Sequence, residues 1–359
     1  MTKSLENMPV FEMPPHVSPR RPWRRPARSF AESAVLVAAA SFIAAGIVAV
    51  SPLAGLLGWY AAMTLVFPAV IALQVARRGG RAVSDRVATG FIVMGFVAVT
   101  IPWVSIVWTV VRRGISAFYT GYLTTDMLVN SPDDPLNMGG VSHAIVGTIL
   151  QVLMASLIAV PLGIVAAVYI VEVRGRAARW VRFLTQAMSG VPSIVAGLFV
   201  YATVVVAITH RFNAVAGALA LSILMLPTVA RTAEEVLKVV SDDLRAASYA
   251  LGATEFATTT RVVLPAIRSG LVTSAVLGVA RVAGETAPLL LTSQYFVRFT
   301  TNITSGPMAS LPTYIFGNLG VGSENSVARA WAGSTVLLVL IFILFLLARL
   351  LGGRNRNGR

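Results

Sequence analysis

The sequence predicts an all-α, polytopic membrane protein of about eight transmembrane helices, with both termini in the cytoplasm. Three observations carry that expectation. First, 56% of the 359 residues are hydrophobic and only 12% are charged, with a mean hydropathy of +0.76. A soluble domain cannot hide that much apolar surface, whereas spanning helices leave it facing lipid. Second, the apolar residues come in continuous runs at about 31–50, 53–76, 87–111, 142–171, 183–209, 213–230, 267–292 and 327–350. Each is near the ~20 residues that cross a bilayer as a helix, and none alternates as a barrel strand must. Third, the arginines collect in every other connection, as membrane topology demands. The net charge of +14 is therefore read as a topology signal, and no nucleic-acid partner is expected.

Along the chain, residues 1–30 are rich in proline and arginine (Arg20, Arg21, Arg24, Arg25, Arg28). They lack the apolar run and cleavage site of a signal peptide and read as a disordered, basic cytoplasmic tail. The N-terminal transmembrane group occupies 31–111. Its first two runs meet at the uncharged Ser51-Pro52, and a re-entrant hairpin there leaves the later topology unchanged. Arg77, Arg78, Arg81 and Arg86 make the next connection basic. Residues 114–141 carry Asp126, Asp133 and Asp134 and no basic residue, although Arg112 and Arg113 border them. Arg174, Arg176, Arg179 and Arg182 fill the following connection, and His210-Arg211 make a very short turn. The stretch 293–326 holds one arginine, Arg298, and the chain ends in Arg354, Arg356 and Arg359. Counting basic residues connection by connection puts the polar segment 231–266 in the cytoplasm.

That polar segment is the one long charged interruption of the apolar pattern. Ser241-Asp242-Asp243 places a capping hydroxyl and two carboxylates at a helix start. Leu244–Leu251 is a short Ala-rich helical run, and Gly252 stands where a glycine ends a helix in the left-handed conformation. Thr254-Glu255 opens a second helix that Pro265 terminates. Leu244, Ala247 and Leu251 share one helical face. An apolar face on a connecting segment calls for a partner to cover it.

The residues of this segment resemble a known signature. Ala246-Ala247-Ser248, then Gly252, then Val262 and Leu264-Pro265, are similar to the EAA motif of ABC-importer permeases. Ala246 stands where that family usually has Glu. Three further runs resemble the PstA-type permeases of phosphate importers: Ser189-Gly190-Val191-Pro192-Ser193-Ile194-Val195-Ala196-Gly197-Leu198, Gly284-Glu285-Thr286-Ala287-Pro288-Leu289-Leu290 and Leu311-Pro312-Thr313-Tyr314-Ile315-Phe316. The segment Gly140–Glu172, with Val160-Pro161-Leu162-Gly163-Ile164, is similar too, so the likeness covers about 139–351 and leaves residues 1–110 without a motif. The resemblance implies a permease core on 139–351, in the inner (plasma) membrane. It implies a coupling helix that docks on an ATPase dimer, with Asp243, Arg245, Ala247, Ser248, Leu251, Gly252, Leu264 and Pro265 as the coupling residues. Asp243 and Arg245 stand as substitutes for the acidic contact missing at Ala246. It further implies a homologous second permease, and an extracytoplasmic phosphate-binding protein resting on 112–141 and 293–326.

Within the apolar runs, Arg281 and Glu285 are the ionisable residues farthest from helix ends. Arg281 lies about fourteen residues, roughly 21 Å, into its helix. A charge at that depth is costly and faces either a pathway or a partner. Two readings stand: an i,i+4 pair that neutralises itself, or a guanidinium fork offered to an oxyanion, with Glu285 as the counter-charge when the anion has left. The family resemblance, in which Arg-x-x-Gly-Glu is associated with the anion path, favours the second. Arg231 is either an interfacial anchor or a further anion contact. Pro192, ahead of Ser193, marks either a packing kink or a broken helix whose free N–H groups suit anions. Ser274-xxx-Gly278 and Ala280-xxx-Gly284 are small-residue pairs for helix packing.

Other chemistries are excluded or disfavoured. The chain has no cysteine and no phosphate loop, and its lysines are Lys3 and Lys238, so ATP hydrolysis belongs to another chain. His16, His143 and His210 are scattered, so no metal site is expected, and no cofactor. Asn302-Ile303-Thr304 is a chance-level sequon. A permease for another oxyanion, sulfate or molybdate, remains an alternative on chemistry. A stand-alone secondary transporter calls for internal repeats and more intramembrane carboxylates, and neither is present.

Overall fold

A computed structural model describes residues 27–50, 55–75 and 80–353, and no strand occurs among them. The chain divides into two compact units, Met1–Ser105 and Ile106–Arg359. The first contains α1 (Ala27–Val50), α2 (Gly55–Val75) and the beginning of α3 (Gly80–Gly114). Ala40 and Ala44 of α1 pack against Ala62, Met63, Val66 and Phe67 of α2. Of the tail expected over 1–30, residues 1–26 lie outside the described residues, but helix α1 already begins at Ala27. Ser51-Pro52 and the C-terminal arginines also lie outside. Only 76–79 of the basic connection separates α2 from α3, and Arg81 and Arg86 belong to the α3 helix.

The second unit is a bundle whose long members are α4 (Ser142–Val168, continued by a π-helical turn Tyr169–Val173), α7 (Ala214–Lys238), α11 (Arg268–Val282) and α14 (Glu324–Gly353). Its core is built from small side chains: Ala155, Ala159, Ala196, Ala218 and Ala283 surround Leu221, Met225 and Val229. Without a hydrophobic drive between helices in lipid, such close backbone approach supplies the packing energy. α7 is clasped from both sides at one residue. A Cβ added to Gly163 of α4 would lie 2.9 Å from Val229 Cβ, and one added to Gly278 of α11 would lie 2.6 Å from Val229 Cγ2.

Four helices among the described residues are individually long and apolar enough to cross a membrane, and two bent pairs raise the number to six. The bends revise two expected spans. The run 183–209 is not continuous: α5 (Ala178–Ser189) is amphipathic and meets α6 (Ser193–Val200, continued by a π-helix Tyr201–Thr209) at 103°. Pro192, in extended conformation with ψ 138°, makes the corner. Arg179 and Arg182, expected in a connection, are thus on a helix. The run 267–292 is also broken, because α11 stops at Val282 and a separate α12 (Ala287–Thr292) follows. Conversely α7 does not end near residue 230 but continues unbroken to Lys238.

The two ends of this unit differ. At one, residues 118–141 and 293–310 fold over the start of α4, and α13 (Leu311–Val321) replaces what reads from sequence as loop. Ser310 caps it through a reciprocal capping box with Thr313, and Leu311 and Tyr314 are wholly buried. At the other end lie α8 (Asp242–Ala250), α9 (Glu255–Thr258), the π-helix Thr259–Val263 and α10 (Leu264–Ala266), which meets α11 at 73°.

Candidate functional site

Arg281 is the fourteenth residue of α11, in its last turn. The helix then unwinds over Ala283–Thr286, so Glu285 no longer sits one turn away on the same helix. Among the described residues no ion pair joins Arg281 to Glu285. The self-neutralising pair is therefore not formed, and the Arg281 side chain is exposed at the end of α11. Arg281 lines a cavity of about 230 Å³ together with Met188, Ser189, Val191, Leu224, Pro227 and Thr228. The two helix breaks thus meet here, one contributing Ser189 and Val191 and the other ending the helix of Arg281. α6 and α12 also pack directly, since a Cβ on Gly197 would fall 2.6 Å from Pro288 Cα.

The structure separates the other residues expected near Arg281. Ser193 begins α6 beyond the corner and does not line this cavity. Arg231 is not at a helix end: it lies inside α7 and lines a second cavity of about 330 Å³ with Arg182, Thr185, Gln186, Glu234, Glu235 and Lys238. There Glu234 holds Arg182 at 3.0 Å and Lys238 at 3.0 Å, which ties α5 to α7. Thr228 also lines the Arg281 cavity, a residue that the sequence alone did not single out. Ser274-xxx-Gly278 is a packing pair as expected, with Ser274 buried and Gly278 against Val229. Among the described residues Gly284 has nothing within 4 Å of an added Cβ, so it is not a close-packing position there.

The segment after α7 folds as helix, glycine turn, helix. Gly252 has φ +80°. Its N–H donates to Tyr249 O at 2.9 Å, and the N–H of Ala253 donates to Ser248 O at 3.2 Å. This paired closure needs a left-handed residue. Ser241 occupies the cap position without using its hydroxyl, whereas Thr254 accepts the N–H of Ala257 at 3.2 Å. Leu244, Ala247 and Leu251 are exposed, Leu251 at 89% and the neighbouring Phe256 at 78%; Asp243 and Pro265 are exposed too. Leu264 instead packs into the cluster of Ala167, Ile170, Ala233 and Leu237.

Two residues expected on the exposed face turn inward. Ser248 is buried, with its hydroxyl 2.9 Å from that of Thr258. Arg245 is buried and donates to Glu172 through Nε at 3.1 Å and Nη2 at 2.7 Å, to Val240 O at 2.7 Å and to Leu237 O at 3.2 Å. The Glu172 hydrogen bond holds its guanidinium above the ordinary arginine range, against the effect of burial. Arg245 is therefore unavailable as a surface contact, and its sequence signal was a lone carboxylate, Glu172, closing an apolar run.

At the opposite end Arg329 is 1% exposed. Its guanidinium donates to four carbonyls, those of Pro132 (3.3 Å), Asp134 (2.9 Å), Pro135 (3.0 Å) and Met138 (2.7 Å). It is a second arginine deep in the fold, and its place near the start of an apolar run disguised it. Tyr122 Oη donates to Arg329 O at 3.4 Å, and burial pushes that phenol up to about 12, so it stays protonated at any working pH. The N–H groups of Phe299 and Leu128 bind the Asp126 carboxylate at 2.9 and 3.1 Å and stitch the two covering loops together.

Residues 159–357 match the family described as binding-protein-dependent transport system inner membrane component. Relatives named phosphate transport system permease protein PstA 1, from Mycobacterium tuberculosis strains, are 38% identical over 273 residues, 76% of this chain and 89% of theirs for the CDC 1551 / Oshkosh strain. One named phosphate transport system permease protein PstA, from Yersinia pestis, is 38% identical over 254 residues, 70% of this chain and 84% of its own. Among solved structures, an inward-facing MetNI methionine ABC transporter chain aligns over 60% of this chain and 92% of its own, at 21% identity and a TM-score of 0.45. This chain belongs to the binding-protein-dependent transport inner membrane components, among the PstA-type permeases.

Proposed function

We propose that this chain is the membrane permease subunit of an ATP-driven importer of inorganic phosphate, with Arg281 as the principal anion contact of the translocation path. The observation that carries this reading is a guanidinium without an ion-pair partner among the described residues, at a helix break, lining a cavity between two broken helices. A guanidinium at that depth is stable only if something answers its charge. With no ion pair in place, an oxyanion gains a charge-assisted contact on entering, and a single guanidinium does not hold it too tightly to leave. Thr228 lines the same space. Glu285 is the counter-charge that discourages a resident anion; Ser193 and Arg231 serve as flanking positions of the path, on the far side of the corner and in the neighbouring cavity.

The α8 end and both termini face the cytoplasm in this reading, as the arginine distribution requires. An ATPase dimer, not this chain, hydrolyses ATP. It grips the exposed face of Leu244, Ala247 and Leu251, with Asp243 at the rim and Phe256 beside it. A homologous permease completes the path, and an extracytoplasmic binding protein rests on the segments 112–141 and 293–326. Reconstitution of the complex in liposomes tests the assignment: ATP-dependent uptake of phosphate is expected, unaffected by excess sulfate or molybdate. Uptake of sulfate or molybdate in place of phosphate would reassign the anion.

A further inference from the structure

The helix α8 contributes no residue to any of the apolar clusters among the described residues. Its apolar side chains point outward, and its inward hold on the bundle is polar. Ser248 joins it to the following arm through Thr258. Arg245 joins it to everything else. One guanidinium spans three elements: two bonds to Glu172 in the π-helical turn that ends α4, two to the carbonyls of Leu237 and Val240 at the end of α7, and a further contact to Asp242 of α8 itself at 3.3 Å. The Glu172 and Arg245 side chains are 4% and 11% exposed. Planar, two-bond pairing of this kind fixes orientation as well as distance.

We infer that Arg245 and Glu172 form the positioning link through which displacement of α8 moves α4 and α7. Motion then reaches α11 sideways, through Val229 clasped between Gly163 and Gly278, three residues before Arg281. The covalent route from α8 to α11 passes instead through a glycine turn, a π-helix and a 73° bend, each a place where displacement is absorbed. The inference rests on the reading that α8 docks on the ATPase; its new content is the route taken after docking.

The chain has no cysteine, so single cysteines at the exposed positions Val173 and Tyr249 report the α4–α8 distance by spin-label measurement in the assembled, otherwise cysteine-free complex. The expected result is the same distance in the nucleotide-free and ATP-trapped states. In Arg245→Ala the distance shifts or broadens on trapping, and uptake falls about tenfold or more while ATP hydrolysis continues. Glu172→Ala behaves alike, the double variant is no worse than either single one, and Arg245→Lys, which keeps the charge but not the fork, is intermediate. Additive losses in the double variant, or an unchanged distance and uptake in Arg245→Ala, overturn the link while leaving docking intact. Failure of the wild-type chain to retain the ATPase removes the docking reading and the link together.

Discussion

Arg281 and Arg329 make an instructive pair. Both are arginines in apolar helices of the same unit, and both carry a charge that lipid cannot tolerate. Arg329 is 1% exposed with four carbonyls around its fork; Arg281 lines an open cavity with no ion pair among the described residues. The first is occupied by its own fold and holds the 118–141 loop to α14. The second has donors left over. In the proposed reading, what separates the transport role of Arg281 from the structural role of Arg329 is the number of unanswered donors, which position in the helix does not reveal.

Removing each charge in turn separates the two roles. The largest effect is expected from Arg329→Met. It removes the donor from the carbonyls of Pro132, Asp134 and Met138 and one of two donors from that of Pro135, at a cost of about 3 kcal/mol. Thermal unfolding in detergent and proteolysis within 118–141 should both report a loosened end. An Arg329→Met protein as stable as the parent would mean the four bonds contribute nothing. Arg281→Gln should do the reverse. Uptake is expected to fall about 100-fold, as for loss of one preorganised charged donor, with thermal stability and subunit assembly unchanged. A matching loss of stability would class Arg281 with Arg329.

Smaller effects sharpen the contrast between the two ends. Gly252→Val adds a Cβ into open space, so its cost is conformational only, about 1–2 kcal/mol at φ +80°. Transport per ATP should drop, and Gly252→Asn, which tolerates that conformation, should retain it; equal behaviour of the two variants would exclude the turn as the reason. Asp126 tests the opposite end by pH. Burial raises its pKa, but the N–H groups of Phe299 and Leu128 lower it further, so the net value lies below the ordinary 3.8. A depressed folded value means the contribution is complete above the unfolded pKa and is lost as pH falls through the lower, folded one. Protection of the Phe299 amide, relative to the intrinsic exchange rate at each pH, should thus stay constant at neutral and mildly acidic pH and fall only below about pH 4. Ser241→Ala, at a cap whose hydroxyl is unused, should change stability by less than about 0.5 kcal/mol.

Much of the architecture was legible beforehand because lipid imposes a one-dimensional rule. Continuous apolar stretches become helices wherever they fall, so α4 and α14 appear close to where the hydropathy puts them, and α7 begins there. Local chemistry was equally legible: Gly252 and Thr254 do what their side chains dictate to the adjacent backbone. The two broken helices were not. Pro192 looked like either a kink or a corner, and Gly284-Glu285 sits in a stretch apolar enough to continue, so only packing against α6, with Gly197 against Pro288, shows that it unwinds.

Residue order and composition suffice for the class of the protein, for the rank of Arg281 as its deepest ionisable candidate and for the shape of the turn at Gly252. All three depend on residues near one another in the chain or on the solvent around it. Tertiary structure alone decided that Arg245 belongs to Glu172, 73 positions away, that Arg329 is already satisfied, and that Arg281 and Glu285 do not neutralise each other. Each of those is settled by which donor meets which acceptor across elements, and a linear order of residues holds no distance between them.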